Sequence, residues 1–187
     1  MGHNKALALL NGKPLIEFVL ENLEEVTQSV MLSVGSESFE YKGALVVPDL
    51  YPDLGPLGGI YSALKFSRTN LNLILSCDMP LVSASFLALL ANEARQHQAA
   101  VTLPVDKDGY WQPLCAVYRK DALSALHEAL LSADLSLLKV VREIDSWVLP
   151  YQESNPVLHN MSFLSINSPD TLIQAKSLMD IFQRQRS

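Results

Sequence analysis

The apolar positions of this chain switch repeatedly between helical spacing and short continuous runs. Ile16, Val19, Leu20 and Leu23 recur at helical spacing, which predicts an amphipathic helix over Pro14 to Val26. Before it, Ala6 to Leu10 is apolar, Asn11-Gly12 is a turn signal, and Pro14 suits a first helical position. Ser29 to Val34 and Leu45 to Val47 read as short strands, the first followed by the loop Gly35-Ser36-Glu37-Ser38 and the second ended by Pro48-Asp49. Leu57 to Phe66 is predicted as a helix with Ile60, Ala63 and Leu64 on its buried face. Leu71 to Pro80 follows, where Leu73, Ile74 and Leu75 carry no charge on either face. That is the expectation for a parallel strand covered on both sides.

Ser83 is placed to cap a helix over Ala84 to His97, with Leu87, Leu90, Ala91 and Ala94 on its apolar face. Ala99 to Pro104 and Gln112 to Tyr118 read as strands joined by the polar turn Asp106 to Tyr110. Helices are predicted over Arg119 to Ser132, Leu135 to Ile144 and Asp170 to Phe182, with Gln183 to Ser187 fraying. Trp147 to Pro150 and Phe163 to Ile166 complete the strands, and Asn155 to Asn160 is loop-like. Strands alternating with helices describe a doubly wound α/β sheet. The hairpin-like stretch from Ala99 to Tyr118 places at least one antiparallel strand in a mostly parallel sheet.

Composition narrows this picture. A chain of 187 residues with 49% hydrophobic and 18% charged positions is globular and long enough for one sizeable core. The net charge of −6, with no Lys/Arg run, argues against a nucleic-acid partner. It leaves room for a small anionic ligand neutralised locally by a metal and a few lysines. Cys77 and Cys115 are too few for a disulfide framework and lack metal-ligand spacing, so both are expected to be buried free thiols. No apolar run reaches the roughly 18 residues of a membrane span, and no signal-peptide pattern is seen, so a cytoplasmic protein is expected.

Three features carry candidate chemistry. Asp78 follows the central strand, at the end where open α/β sheets bind ligands. A carboxylate there suits a divalent metal carrying nucleotide phosphates, since Mg²⁺ takes one or two carboxylates plus phosphate oxygens. The alternative is a loop acid capping the helix near Ser83. Tyr51 to Gly59 holds three glycines and two prolines in nine residues and opens a helix, so its backbone N–H groups can meet an anion. Gly58 and Gly59 alternatively serve packing alone. Lys5 is either a solvated charge or a phosphate contact.

Four ordered stretches resemble one family: N-K-A-L-A-L-L-N-G-K-P-L (4 to 15), V-P-D-L-Y-P-D-L-G-P-L-G-G-I (47 to 60), C-D-M-P (77 to 80) and F-L-S-I-N-S-P-D-T-L (163 to 172). W-Q-P-L-C-A-V-Y (111 to 118) fits as well. Together they resemble the molybdenum cofactor guanylyltransferase (MobA) family, across essentially the whole chain. The resemblance implies a single-domain, three-layer α/β/α nucleotidyltransferase over residues 1 to 187, Rossmann-like and glycosyltransferase-A-like. It implies Mg²⁺-dependent transfer of GMP from GTP to the terminal phosphate of molybdopterin, with release of pyrophosphate. Molybdenum-cofactor insertion proteins are implied as partners.

By the same resemblance Lys5 corresponds to a lysine on the nucleotide phosphates, and Asp49 to the acid near the guanine or ribose. Asp78 corresponds to the Mg²⁺ ligand and Asn167 to an asparagine close to the metal and acceptor. Ser33 falls where the family tends to place an asparagine after its second strand. Ser165 and Ser168 stand where the family often has Asn and Thr.

The family opens with a strand and a glycine-rich loop, L-A-G-G-x-S-x-R-M-G, of which Met1-Gly2 is the part present here. The missing strand lies inside the family's sheet, and its loss would leave unpaired backbone on both neighbours. One expectation is a native chain roughly 15–20 residues longer. The others are another segment or a second subunit filling the gap, and a divergent member without catalysis. Two further functions stay open: a related transferase using CTP or another acceptor, and a non-catalytic cofactor-binding adaptor. His3, His97, His127 and His159 show no metal-ligand spacing and read as surface or packing residues. Trp111, Trp147, Tyr51 and Tyr61 read as packing rather than base or pterin contacts.

Overall fold

The computed structural model describes residues 5–35, 41, 44–132, 135–151 and 163–186. His3, His159, Met1-Gly2, the loop 36–38 and the segment 155–160 lie outside the described residues. The described chain opens with a 3-10 turn, Lys5–Leu7, and a small hairpin of β1 (Leu9–Leu10) and β2 (Lys13–Pro14). Asn11 and Gly12 join these strands with φ of 50° and 80°. Two successive left-handed residues form the turn that matches hairpin twist, and Asn-Gly is the pair that tolerates it. Pro14 therefore ends β2 and precedes helix α1 (Leu15–Glu24) instead of opening it.

β3 (Met31–Val34) and β4 (Leu45–Pro48) pair in parallel. α2 (Gly55–Phe66) then leads to β5 (Leu71–Leu75), and α3 (Ala84–Gln96) to β6 (Val101–Pro104). The remaining elements are β7 (Cys115–Arg119), α4 (Leu123–Leu131), α5 (Leu137–Glu143), β8 (Ser146–Leu149) and α6 (Pro169–Arg186). The larger sheet has the order β5-β7-β6-β8. β7 runs antiparallel to both β5 and β6, and β8 runs parallel to β6. Hence β5, β6 and β8 share one direction and β7 alone is reversed, so the sheet is mostly parallel.

Helices cover both faces. On one side, Leu57, Ile60 and Leu64 of α2 pack with Ala116 and Tyr118 of β7 and with α4 and α5. On the other, Val19 and Leu23 of α1 and Phe86, Leu87 and Leu90 of α3 pack with Cys115 and Val117. Alternate residues of β7 thus feed two cores, as the period-2 geometry of a strand requires. Leu10, Leu15, Ile166 and Ala175 make a smaller cluster that seats α6.

Three expectations need correction. β5 pairs antiparallel, with β7, and all five of its residues are only half-buried. Among the described residues β7 is its only strand partner. Phe163 to Ile166 is not a strand; the Ile166 N–H donates to the Asp78 carbonyl at 2.8 Å instead of joining a ladder. Cys115 is buried, whereas Cys77 is half-buried because it lies past the end of β5.

Candidate active site

The carboxyl ends of β3, β4 and β5 lie along one rim, and the candidate residues sit on it. Ser33 is in β3, and Asp49 directly follows β4. The Ser33 hydroxyl donates to Asp49 Oδ1 at 2.8 Å, with the Gly59 carbonyl 3.3 Å away as a second acceptor. This fixes the carboxylate while leaving Asp49 Oδ2 available to a ligand. A Cβ at Gly59 would lie 3.1 Å from Ser33 Oγ and 3.7 and 3.8 Å from the Asp49 oxygens. Glycine therefore allows the start of α2 to approach this pair. A Cβ at Gly58 would strike the Tyr51 carbonyl oxygen at 2.6 Å, so that glycine is required by the loop's own path.

Buried Ser62 holds the same loop from the helix side. Its hydroxyl accepts from the Leu50 N–H at 2.8 Å and donates to the Gly58 carbonyl at 2.7 Å. Tyr51 Oη meets His127 Nε2 at 2.9 Å, and the His127 ring stacks on Tyr61 at 5.2 Å. α4 thereby braces the loop that follows Asp49. Sequence reasoning assigned these rings to packing and missed the bond. No local pattern carries it, since 76 positions separate Tyr51 from His127.

Asp78 stands three residues beyond β5. It does not cap α3: the side chain that accepts from the Phe86 N–H is Ser83. Asp78 Oδ2 accepts from the Ser165 hydroxyl at 2.5 Å. Asp78 Oδ1 is buried with no hydrogen-bond partner among the described residues. A buried carboxylate oxygen left unpaired is costly, so a bound cation or donor is the expected partner. The backbone bond from Ile166 to Asp78 brings the next residue, Asn167, to the same corner, with its side chain exposed. Ser168 and Thr171 cap α6 just beyond.

Lys5 is exposed and makes no ion pair among the described residues. Its charge is felt at Cys77. Burial pushes the Cys77 thiol above its ordinary value and the Asp78 charge pushes it further, while the thiol's backbone hydrogen bond and Lys5 pull it down. Lys5, Cys77 and Asp78 thus form one electrostatic neighbourhood. Ser33, Asp49 and Cys77 line one common cavity. The structure therefore assembles two pairs, Ser33 with Asp49 and Asp78 with the Ser165–Asn167 segment, on one rim.

This donor set fits a magnesium ion. Asp78 offers an unpartnered carboxylate oxygen and Asn167 an exposed amide oxygen, and Mg²⁺ leaves its other positions to water and phosphate. Among the described residues no cluster of three or more His, Cys, Asp or Glu side chains could hold a metal by protein ligands alone. Nor is any described helix long and apolar enough to cross a membrane.

Residues 1–147 match the model of the MobA-like NTP transferase domain. The chain belongs to the MobA-like NTP transferase family. It is 33% identical over 172 residues to a probable molybdenum cofactor guanylyltransferase of Flavobacterium johnsoniae, covering 92% of this chain and 87% of that relative. A probable molybdenum cofactor guanylyltransferase of Thermococcus gammatolerans is 30% identical over 176 residues, covering 91% of this chain and 90% of its own length. The crystal structure of molybdopterin-guanine dinucleotide biosynthesis protein A from Archaeoglobus fulgidus superposes with a TM-score of 0.80 at 27% identity. That match covers 96% of this chain and 92% of the other. A Thermus thermophilus 2-C-methyl-D-erythritol 4-phosphate cytidylyltransferase shares the fold, with a TM-score of 0.70 at 16% identity, over 94% of each chain.

Proposed function

We propose that this chain transfers the GMP portion of GTP to the terminal phosphate of a molybdopterin, with Mg²⁺, releasing pyrophosphate. The observation that carries the reading is Asp78, held by Ser165 on one oxygen and unpartnered on the other. The names of the relatives, probable molybdenum cofactor guanylyltransferases, supply the nucleotide and acceptor.

In this reaction an oxygen of the acceptor phosphate forms a bond to the α-phosphorus of GTP. The bond from that phosphorus to the bridging oxygen of the β-phosphate breaks, and that oxygen leaves with its electron pair on pyrophosphate. Positioning and charge compensation supply most of the rate in such transfers. Asp49 accepts from the N1–H and exocyclic amine of guanine, a donor pair adenine lacks, and Ser33 holds it in place. Lys5 supplies a mobile point charge to the phosphates. Asp78 and Asn167 would hold Mg²⁺, whose charge compensates the phosphate oxygens when it is bound. Ser165 keeps the Asp78 carboxylate oriented.

Thermal stabilisation by GTP, CTP and ATP, each with Mg²⁺, tests the reading alongside product analysis. A nucleotide at about 100 times its dissociation constant adds about 2.7 kcal/mol. A GTP-selective rise and a guanine dinucleotide product are expected. A CTP-selective rise reassigns the nucleotide, and no rise with any of the three removes the transferase reading.

A further inference from the structure

Three consecutive residues follow β4, and each is held by one side chain from elsewhere in the chain. Asp49 accepts from the Ser33 hydroxyl at 2.8 Å, and the Leu50 N–H donates to Ser62 Oγ at 2.8 Å. Tyr51 Oη shares a hydrogen bond of 2.9 Å with His127 Nε2. Ser33 and Ser62 belong to β3 and α2, the elements beside the acid, whereas His127 belongs to α4, which packs against α2. The His127 ring lies on Tyr61 at 5.2 Å with a 17° tilt, and the Tyr51 ring meets Tyr61 edge-on at 5.6 Å. His127 is thus already aimed by its stack, so bonding Tyr51 costs little further side-chain ordering.

We propose that, given the transferase reading above, the Tyr51–His127 pair positions Asp49 and so helps to decide which base the site accepts. The stretch after Tyr51 needs such an anchor. Asp53 and Gly55 both take left-handed backbone, each with φ of 64°. A non-glycine residue persists there where its surroundings over-determine it. Tyr51 is fixed just before this stretch, and α2 begins at its end. The Tyr51 carbonyl also abuts α2, since its oxygen lies 2.6 Å from where a Cβ on Gly58 would stand. The next residue, Gly59, faces Ser33 and both Asp49 oxygens. A shift of Tyr51 therefore disturbs the acid along the chain and through the glycines that rest beside it.

The consequence for turnover is specific. In the proposed reaction Asp49 meets the base, whereas bonds form and break at the α-phosphorus. A misdirected Asp49 loses binding that the ground and transition states share, and leaves the chemical step alone. Small rotations suffice, because a hydrogen bond weakens steeply as its angle closes. Tyr51 and His127 act through Asp49 and touch no reacting atom.

The test is steady-state transfer to molybdopterin by the whole chain, with GTP and with ATP, each with Mg²⁺. Tyr51→Phe keeps the ring and removes only the hydroxyl. His127→Phe keeps a ring on Tyr61, removes the nitrogen, and serves if the first variant folds poorly. Each is expected to raise the KM for GTP roughly three- to tenfold and to lower the preference for GTP over ATP by a similar factor. The change in kcat is expected to stay below about twofold. His127→Gln sets an amide close to the place of Nε2 and is expected to bring both values back toward the parent. The double variant Tyr51→Phe with His127→Phe is expected to match either single one, because both remove the same bond. An unchanged preference in both phenylalanine variants, a fall in kcat at constant KM, or additive losses in the double variant would overturn the proposal. A parent without GTP selectivity overturns the transferase reading and this role together. A GTP-selective parent whose variants keep that selectivity overturns this role alone.

Discussion

The Ser165 hydroxyl donates to Asp78 Oδ2 at 2.5 Å, across 87 positions of sequence. It binds the acid at the end of β5 to the segment that leads into α6. The same segment is anchored by Ile166, whose N–H meets the Asp78 carbonyl. One corner is thus built from two distant stretches.

Asp78→Asn keeps an acceptor for Ser165 and removes the charge. Metal-dependent transfer should fall on the order of 10²-fold or more, with little change in melting. Near-normal turnover would remove Asp78 from the site. Ser165→Ala should cost roughly 10- to 100-fold in activity or metal affinity, as lost support of a metal ligand does. It should also lower Tm by about 2–4 °C, the effect of about 1 kcal/mol.

Asp49→Asn should lower the preference for GTP over ATP by roughly tenfold or more, since a hydrogen bond to a charged group contributes about 1.5–3 kcal/mol. Ser33→Ala should move it the same way by less, because the carboxylate stays but loses its 2.8 Å donor. Competition binding with the two nucleotides measures both, and an unchanged preference in Asp49→Asn would place the base elsewhere.

Gly58→Ala and Gly59→Ala separate fold from site. At 58 the new Cβ meets a backbone carbonyl at 2.6 Å, so a loss of about 1–3 kcal/mol is expected in urea unfolding. At 59 the nearest atom is the Ser33 hydroxyl, which can turn away. That variant should unfold nearly like the parent and show weaker nucleotide binding. Equal destabilisation of the two would contradict this division.

Burial raises the thiols of Cys77 and Cys115 above the ordinary 9.0, and for Cys77 the Asp78 charge adds to it. Below that value both states hold the proton and stability is full. Above it the unfolded chain releases protons that the folded chain keeps, so stability falls from about pH 9 toward the folded values. Urea midpoints measured from pH 8 to 10.5 should decline, and less steeply in Cys115→Ala. Lys5 pulls the Cys77 thiol down, so Lys5→Gln should slow its alkylation at a fixed pH.

Much of the helical framework was legible because its signals are local. Ser83 caps α3 three residues from the N–H it accepts, and Asn11-Gly12 turns a two-residue hairpin. Helix periodicity placed α1 and α3 to within a few residues of their ends. The strand at Phe163 to Ile166 failed, since an apolar run carries no statement of which edge, if any, is free to receive it. The antiparallel insertion of β7 was visible only as a hairpin-like spacing, without its partner β5.

Residue order by itself determined where helices begin, where turns reverse the chain, and that an acid follows each of two strands, at Asp49 and Asp78. Those outcomes depend on atoms within about four positions of one another. Only the tertiary structure decided that Ser33 holds Asp49, that Ser165 holds Asp78, and that His127 braces Tyr51. Their spacings of 16, 87 and 76 positions exceed the reach of any local rule. Such contacts form because burial of the helix faces fixes the path of the chain, and side chains then meet wherever that path brings them.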